Sequence, residues 1–308
     1  MMDVVQFAVA QDAAGRTDEA IKVLRRAIAV APSDRTKFHL AFLLLREGKY
    51  EEGWGLWEHR PARVGWGGRL SFPEWDGSPI KSLLVLPEQG FGDQIMFARY
   101  VPMLRSQGVE VTLFTKPDLV TLLSQFGVAT FAASGDVKIQ KHDAWVLCGS
   151  LPRLMGGRIS SGPYLSGAAT TRKGGIGIAW RGNPYPDPNR SMPPDIAAGL
   201  LKQTGTLSLD PEDTGARDFQ HTADLVASLD LVISVDTATA HLAGAMGKPC
   251  FLLLPHHADW RWLRGRSDTP WYPSIRIFRQ PKRGDWDTVI SEAVQHAKAI
   301  AYSRTELS

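Results

Sequence analysis

Cysteine is nearly missing from this 308-residue chain, which holds only Cys148 and Cys250. Two thiols about a hundred residues apart exclude a disulfide framework and a multi-cysteine zinc site, and they suit a reducing compartment. Long apolar runs are also lacking. No stretch approaches the roughly 18 residues of a membrane span. The start, MMDVVQFAVAQDAAG, has neither a cationic lead nor a long apolar core, so no signal peptide is expected and the chain reads as cytoplasmic. Charge of one sign is not in excess: 35 basic against 32 acidic residues leave +3, with no basic run, so nucleic acid is not an expected partner. Several chemical signatures are absent too. Without GxxxxGK[ST] there is no P-loop, and without GxSxG no serine-hydrolase elbow. Without HExxH, paired CxxC or a DxD-like cluster, no metal is expected.

What is present is an ordinary globular composition, 44% hydrophobic and 22% charged, which rules out a disordered or fibrous chain. At roughly 150 residues per domain the length suggests two domains. The first sixty residues carry a repeat. GRTDEAIKVL (15–24) aligns with GKYEEGWGLW (48–57), thirty-three residues on. The spacing resembles the tetratricopeptide helix–turn–helix, with Gly15 and Gly48 at turns and Ala20 and Ala27 as small contact positions. A generic helical hairpin is the plainer alternative. So few units rarely fold alone, and the segment 1–60 should therefore pack on the remainder of the chain. A Trp- and Gly-rich connector, 61–80, comes next, with Trp66, Phe72 and Trp75 to hold it down.

From Ser82 strand and helix patterns alternate. Strands are expected at 82–86, 109–114, 128–132 and 144–147, with helices over 94–106 and 118–126 between them. A looser stretch, 161–174, reads as a linker. The alternation then restarts, with strands at 176–180, 206–209, 231–235, 250–254 and 275–278, and helices over 194–203, 222–229, 237–246 and 286–300. Such alternation predicts an α/β protein with two Rossmann-like parallel-sheet domains, 81–160 and 175–308, and a ligand cleft at their strand ends.

Three segments are placed to carry chemistry. In PEQGFGDQIMFARY (87–100), Gln89, Gly90 and Gly92 form a tight turn before Asp93 at a helix start. Asp93 reads either as a helix N-cap or as a carboxylate presented to a ligand. In LDLVISVDTATAHLAGAMGKP (229–249), a buried strand ends at Asp236, and a helix opens with Thr237, Ala238 and Thr239. Free N–H groups there form an anion site, and His241 lies on the same helix face as Thr237. The alternative makes Asp236 an N-cap and His241 a satisfied polar residue. In GIAWRGNPYPDPNRSMPP (177–194), Trp180, Arg181, Asn183 and Arg190 follow a strand. The two arginines would place positive charge on a phosphate, or else are solvated loop residues.

Taken with YEEGWGLWEHR, PEWDG and HADWRWLRGRSDTPWYPS, these motifs resemble one family over residues 48–297. It is the bacterial tetratricopeptide-linked glycosyltransferases of GT-B architecture, related to ADP-heptose–lipopolysaccharide heptosyltransferases and distantly to O-GlcNAc transferase. The resemblance implies Asp93 as general base and Asp236, Thr237 and His241 as donor-binding residues. It places Trp180, Asn183 and Arg190 in the donor-side loop. It implies an inverting transfer from a nucleotide-diphosphate sugar to a protein, glycan or lipid-linked hydroxyl, with no cofactor and no metal. The helical repeat is a candidate surface for a protein acceptor or partner. Two other functions compete: a non-catalytic nucleotide-binding scaffold, and a GT-B nucleotide-sugar epimerase.

Overall fold

A computed structural model describes residues 3–65, 70–135, 137–160, 162–168, 174–184, 187–202 and 206–305. Trp66, Gln203 and residues 169–173 of the expected linker lie outside the described residues. The chain forms two compact units. The first is Met1–Ser160 together with Asp259–Arg264, and the second is Ser161–Ala258 with Gly265–Ser308.

The first unit opens with four helices, α1 (Val4–Ala13), α2 (Thr17–Val30), α3 (Asp34–Arg46) and α4 (Tyr50–Trp57). Asp3 caps α1 by accepting from the Val5 amide, and Ser33 caps α3 by accepting from Thr36. Gly15 and Gly48 follow α1 and α3 with φ of +78° and +72°, the left-handed geometry that ends a helix at least cost. The thirty-three-residue offset is therefore one turn used twice. The hairpins share a core of Val5, Ala8, Ala20, Ile21, Leu24, Leu40 and Leu44.

After a short helix α5 (Pro61–Val64) and the connector, the first sheet begins at β1 (Ser82–Leu86). It continues through α6 (Phe91–Ala98), α7 (Tyr100–Ser106), β2 (Glu110–Thr115), α8 (Val120–Ser124), β3 (Ala129–Ala132), β4 (Ala144–Leu147) and α9 (Leu151–Leu154). All pairings are parallel, in the order β3-β2-β1-β4, with Leu84 opposite Thr112 on one side and Trp145 on the other. Leu83–Leu86 are buried without alternation, as a strand covered on both faces requires. The connector adds a bridge from Glu74 to Trp145 and buries Phe72 and Trp75.

One helix over 94–106 is expected from the pattern, but two are found. Pro102 has no N–H to give the Ala98 carbonyl, so the ladder breaks there. The buried Arg99 stands at the junction, with its Nε donating to Met96 O (2.9 Å).

The second unit runs β5 (Ile176–Ala179), α10 (Pro194–Leu201), β6 (Thr206–Ser208), α11 (Pro211–Thr214), α12 (Phe219–Ala227), β7 (Leu231–Val235), α13 (Ala238–Ala245), β8 (Cys250–Leu254), β9 (Ile275–Arg279) and α14 (Trp286–Thr305). Its sheet is parallel throughout, in the order β6-β5-β7-β8-β9. The core gathers Ile178, Met192, Ile233, Phe251, Phe278, Trp286 and Val289. Helix α11 is not expected from the acidic run DPEDTGARD. It forms because Asp210 caps it through the Glu212 amide (3.1 Å).

Hairpins and first sheet are joined by a buried ion pair. Arg60, 1% exposed at the end of the helical segment, meets Glu88 just beyond β1 (Nη2–Oε1 2.8 Å). The same Nη2 reaches Ser150 Oγ (2.8 Å), and Nη1 reaches Glu58 Oε1 (3.1 Å). Gly149 is needed at this point, since a Cβ there would fall 1.8 Å from Glu88 Oε1. Arg60→Leu should cost about 3–5 kcal/mol, because it strands a buried carboxylate. Arg60→Leu with Glu88→Leu should cost less than the single change, as urea titration of the two variants will show.

Candidate functional site

The turn between β1 and α6 is built to hold a carboxylate. Gly90 is the N-cap of α6, and Asp93 is its third residue. Asp93 is therefore not the N-cap. Its Oδ2 reaches back to accept from the Gly90 amide (2.9 Å). Gln89, ahead of that cap, has φ of +60°, a left-handed conformation uncommon for any residue other than glycine. Gln94 ties the helix start to β2, its Oε1 accepting from Thr115 Oγ1 (2.8 Å) and the Lys116 amide (3.0 Å).

The second oxygen of Asp93 is bonded by a residue outside every candidate set named from sequence. Arg261 Nη2 donates to Asp93 Oδ1. Its Nη1 donates to Asp259 Oδ1 (2.6 Å), and its guanidinium carbon lies 4.4 Å from the Trp260 ring centroid. Trp260 stands edge-on to Trp54 and Trp57, at centroid distances of 5.3 and 5.2 Å. The one sequence signal for Arg261 was its place in HADWRWL, a motif that carried the family resemblance without a role. Each carboxylate oxygen has two acceptor positions, so Asp93 keeps capacity for a further donor.

Both thiols are free and buried. Burial, reinforced by the charge of Glu88, pushes Cys148 well above its ordinary value. Burial alone pushes Cys250 up to about 12.

In the second unit the residues following β5 fold back on themselves, the Met192 amide donating to Trp180 O (2.8 Å). Trp180 is half-buried against the core. Arg181 turns to Asp210 and Glu212 (2.5 Å to the latter), which raises its own affinity for a proton and lowers that of Asp210. It is thus engaged away from the phosphate role read for it in the sequence. Arg190 is placed differently. Its Nε donates to Asn183 O (2.9 Å), and it lies beside Gly182 together with Thr237. A Cβ on Gly182 would stand 3.1 Å from Thr237 Cγ2 and 3.2 Å from Arg190 Nε. Arg190, Asn183 and Thr237 are therefore brought together.

Thr237, not Asp236, is the N-cap of α13. Its hydroxyl makes no cap and lies 3.1 Å from Ser234 Oγ instead. The first amides of α13, at Ala238 and Thr239, have no intrahelical acceptor, as at any helix start. Asp236, Thr237, Ala238 and Thr239 are all half-buried. His241 is 4% exposed, with Nδ1 3.0 Å from the Tyr272 hydroxyl. The imidazole is thus buried against Tyr272, while the residues of the helix start are only partly covered. Beside Trp180 lies a cavity of about 460 Å³, lined also by Asn189, Ser191, Met192, Arg283 and Trp286. Among the described residues no three His, Cys, Asp or Glu side chains cluster as a metal site, and no helix is long and apolar enough to cross a membrane.

Residues 214–289, which include α13 and the segment carrying Arg261, match the model of glycosyltransferase family 9 (heptosyltransferase). This match supports a glycosyltransferase. Protein FlbA of Caulobacter vibrioides is 25% identical over 334 residues, covering 87% of this chain and 55% of its own. The chain thus spans about half the length of that curated relative. Among solved structures, the iron-containing dodecameric glycosyltransferase TibC of enterotoxigenic E. coli is 15% identical with a TM-score of 0.48, over 71% of this chain and 67% of its own. The E. coli heptosyltransferase WaaC with ADP is 10% identical with a TM-score of 0.43, over 70% and 99%.

The burial of Glu88 links the stability of the first unit to pH. Burial raises its carboxyl above the ordinary value of 4.5, against the opposing pull of Arg60. The folded chain then holds this proton to higher pH than the unfolded chain. Its contribution to stability is full below the ordinary value and is lost as pH climbs through the raised one. Glu88→Gln should flatten the fall in urea midpoint over the window just above pH 4.5. An unchanged slope would count against this assignment.

Proposed function

We propose that this chain is an inverting, metal-independent glycosyltransferase of GT-B type. It moves a sugar from a nucleoside-diphosphate donor to a hydroxyl on a protein, glycan or lipid-linked acceptor. The observation that carries the reading is the start of α13, inside the matched segment, where Arg190 flanks a helix N-terminus without a side-chain cap. Cation and amides together suit a diphosphate. In this reading Asp93 takes the proton of the acceptor hydroxyl as that oxygen bonds to the anomeric carbon. The bond from that carbon to the phosphate oxygen breaks, and its electron pair leaves with the nucleoside diphosphate. Arg190 and the α13 amides stabilise that departing charge with the protein's own groups. The cavity beside Trp180 gives the donor a flat apolar wall. The helical hairpins are a tetratricopeptide-like surface for a protein acceptor, and the two buried free thiols fit a cytoplasmic setting.

A nucleotide-binding scaffold is the second reading, favoured by the protein bonds to both Asp93 oxygens. Asp93→Asn separates the two. Under the transferase reading it lowers turnover of nucleotide sugars about 10²–10⁴-fold, with nucleoside-diphosphate affinity by calorimetry held. Turnover that survives the change makes Asp93 structural.

The two arginines should also part company. Arg190→Ala is expected to weaken ADP, GDP or UDP binding about tenfold, the loss of one charge-assisted hydrogen bond. Arg181→Ala should leave that affinity nearly unchanged, its charge being committed to Asp210 and Glu212.

A further inference from the structure

The six residues Asp259–Arg264 pack with the first unit, although the chain on both sides belongs to the second. They form a strap pinned at two points. Trp260, 1% exposed, is lodged against Trp54 and Trp57 of α4. Arg264 donates to Thr17 at the start of α2 and to Glu47 after α3 (3.4 Å). Both helical hairpins therefore hold the strap. Between the pins, Arg261 is stacked on the Trp260 ring and bonded to Asp259, so its guanidinium follows the indole. What that guanidinium meets is Asp93 Oδ1.

We propose that Arg261 is the positioning residue of the Asp93 carboxylate, and that the helical hairpins set it through Trp260. Hairpin packing and the aim of the proton acceptor are then one coupled state. The Gly90 amide fixes Oδ2 and Arg261 fixes Oδ1, which leaves the carboxylate a single orientation in which to receive a hydroxyl proton. This assigns the N-terminal helices a part in the site itself, beyond any partner they recruit. The inference rests on the reading of Asp93 as proton acceptor, but the coupling can be measured without it.

The test uses the full chain with Arg261→Gln, Arg261→Lys, Trp260→Phe and the Trp260→Phe/Arg261→Gln double variant. Turnover is read on a panel of nucleotide sugars, binding on ADP, GDP and UDP, and amide hydrogen exchange over residues 88–93 in the free protein. Arg261→Gln should lower kcat about 10²-fold, the scale of a misplaced reacting group, with donor KM within about twofold. Arg261→Lys should recover part of the loss, because one ammonium replaces only one of the two guanidinium contacts. Trp260→Phe, which keeps a ring in the socket, should shift kcat in the same direction by less. The double variant should be no worse than Arg261→Gln alone, as for residues acting through one contact. Exchange at Gly90 should rise about tenfold in Arg261→Gln as the turn opens locally.

Unchanged kcat together with unchanged exchange overturns the proposal. A rise in KM with kcat kept overturns it as well, making Arg261 a ligand contact. If the unmodified protein turns over no nucleotide sugar, the transferase reading fails. The exchange measurements alone then decide whether the hairpins set Asp93.

Discussion

A buried guanidinium, Arg60 on Glu88, fixes the carboxyl end of the first sheet, and much of the first unit's geometry depends on it. The pair joins the end of the helical segment to the second residue after β1, and through Ser150 to the residues after β4. Desolvating two charges is costly, so such a pair is weak evidence of stability for its own sake. Its effect is on placement. With Glu88 held, the chain can leave β1 in only one direction, and the turn of Gln89 and Gly90 must deliver α6 from that point. Asp93 inherits its position from a contact made by a residue thirty-three places earlier in the chain.

Aromatic packing completes what the ion pair begins. Two hairpins bury one shared face among themselves and leave the α4 tryptophans to be covered. Trp260 covers them, so a segment of the glycosyltransferase-like region finishes the helical core. The helical segment and the first α/β sheet accordingly share one unit.

Periodicity exposed the sheets, the strand order of events along the chain and the paired glycine turns, because these arise from patterns within ten or twenty residues. The candidate site's local geometry was legible where it depended on a turn: Asp93 at a helix start after Gly90 and Gly92, and Thr237 at a helix start after a buried strand. It was not legible where charges pair across the fold. Arg181 and the acidic run beginning at Asp210 were both visible, yet nothing in a pattern joins residues 29 apart in sequence. Arg261 lies 168 residues from Asp93, and the two meet across the fold beside the lodged Trp260. Helix limits shifted for a related reason. Side chains such as Asp93 and Asp210 act on amides two or three residues away, so the capping role and the start of the helix must be known together.

Strain marks the same place. Among the described residues the non-glycine residues with positive φ are Gln89 and Leu263, at +60° and +54°. Such conformations cost about 1–3 kcal/mol each and persist only where the surroundings over-determine them. Each follows an anchored neighbour: Gln89 succeeds Glu88 in the grip of Arg60, and Leu263 succeeds the fully buried Trp262. In both cases the chain must turn sharply from a side chain that cannot move. One turn leads to Asp93, and the other closes the strap bearing Arg261. The two strained residues thus sit on either side of one ion pair, Gln89 beside the carboxyl held by Arg60 of the helical segment and Leu263 beside the buried Trp262. The Asp93 carboxylate is thus held from two directions, by its own turn, which Gln94 ties to β2, and by the strap whose Trp260 is lodged against α4.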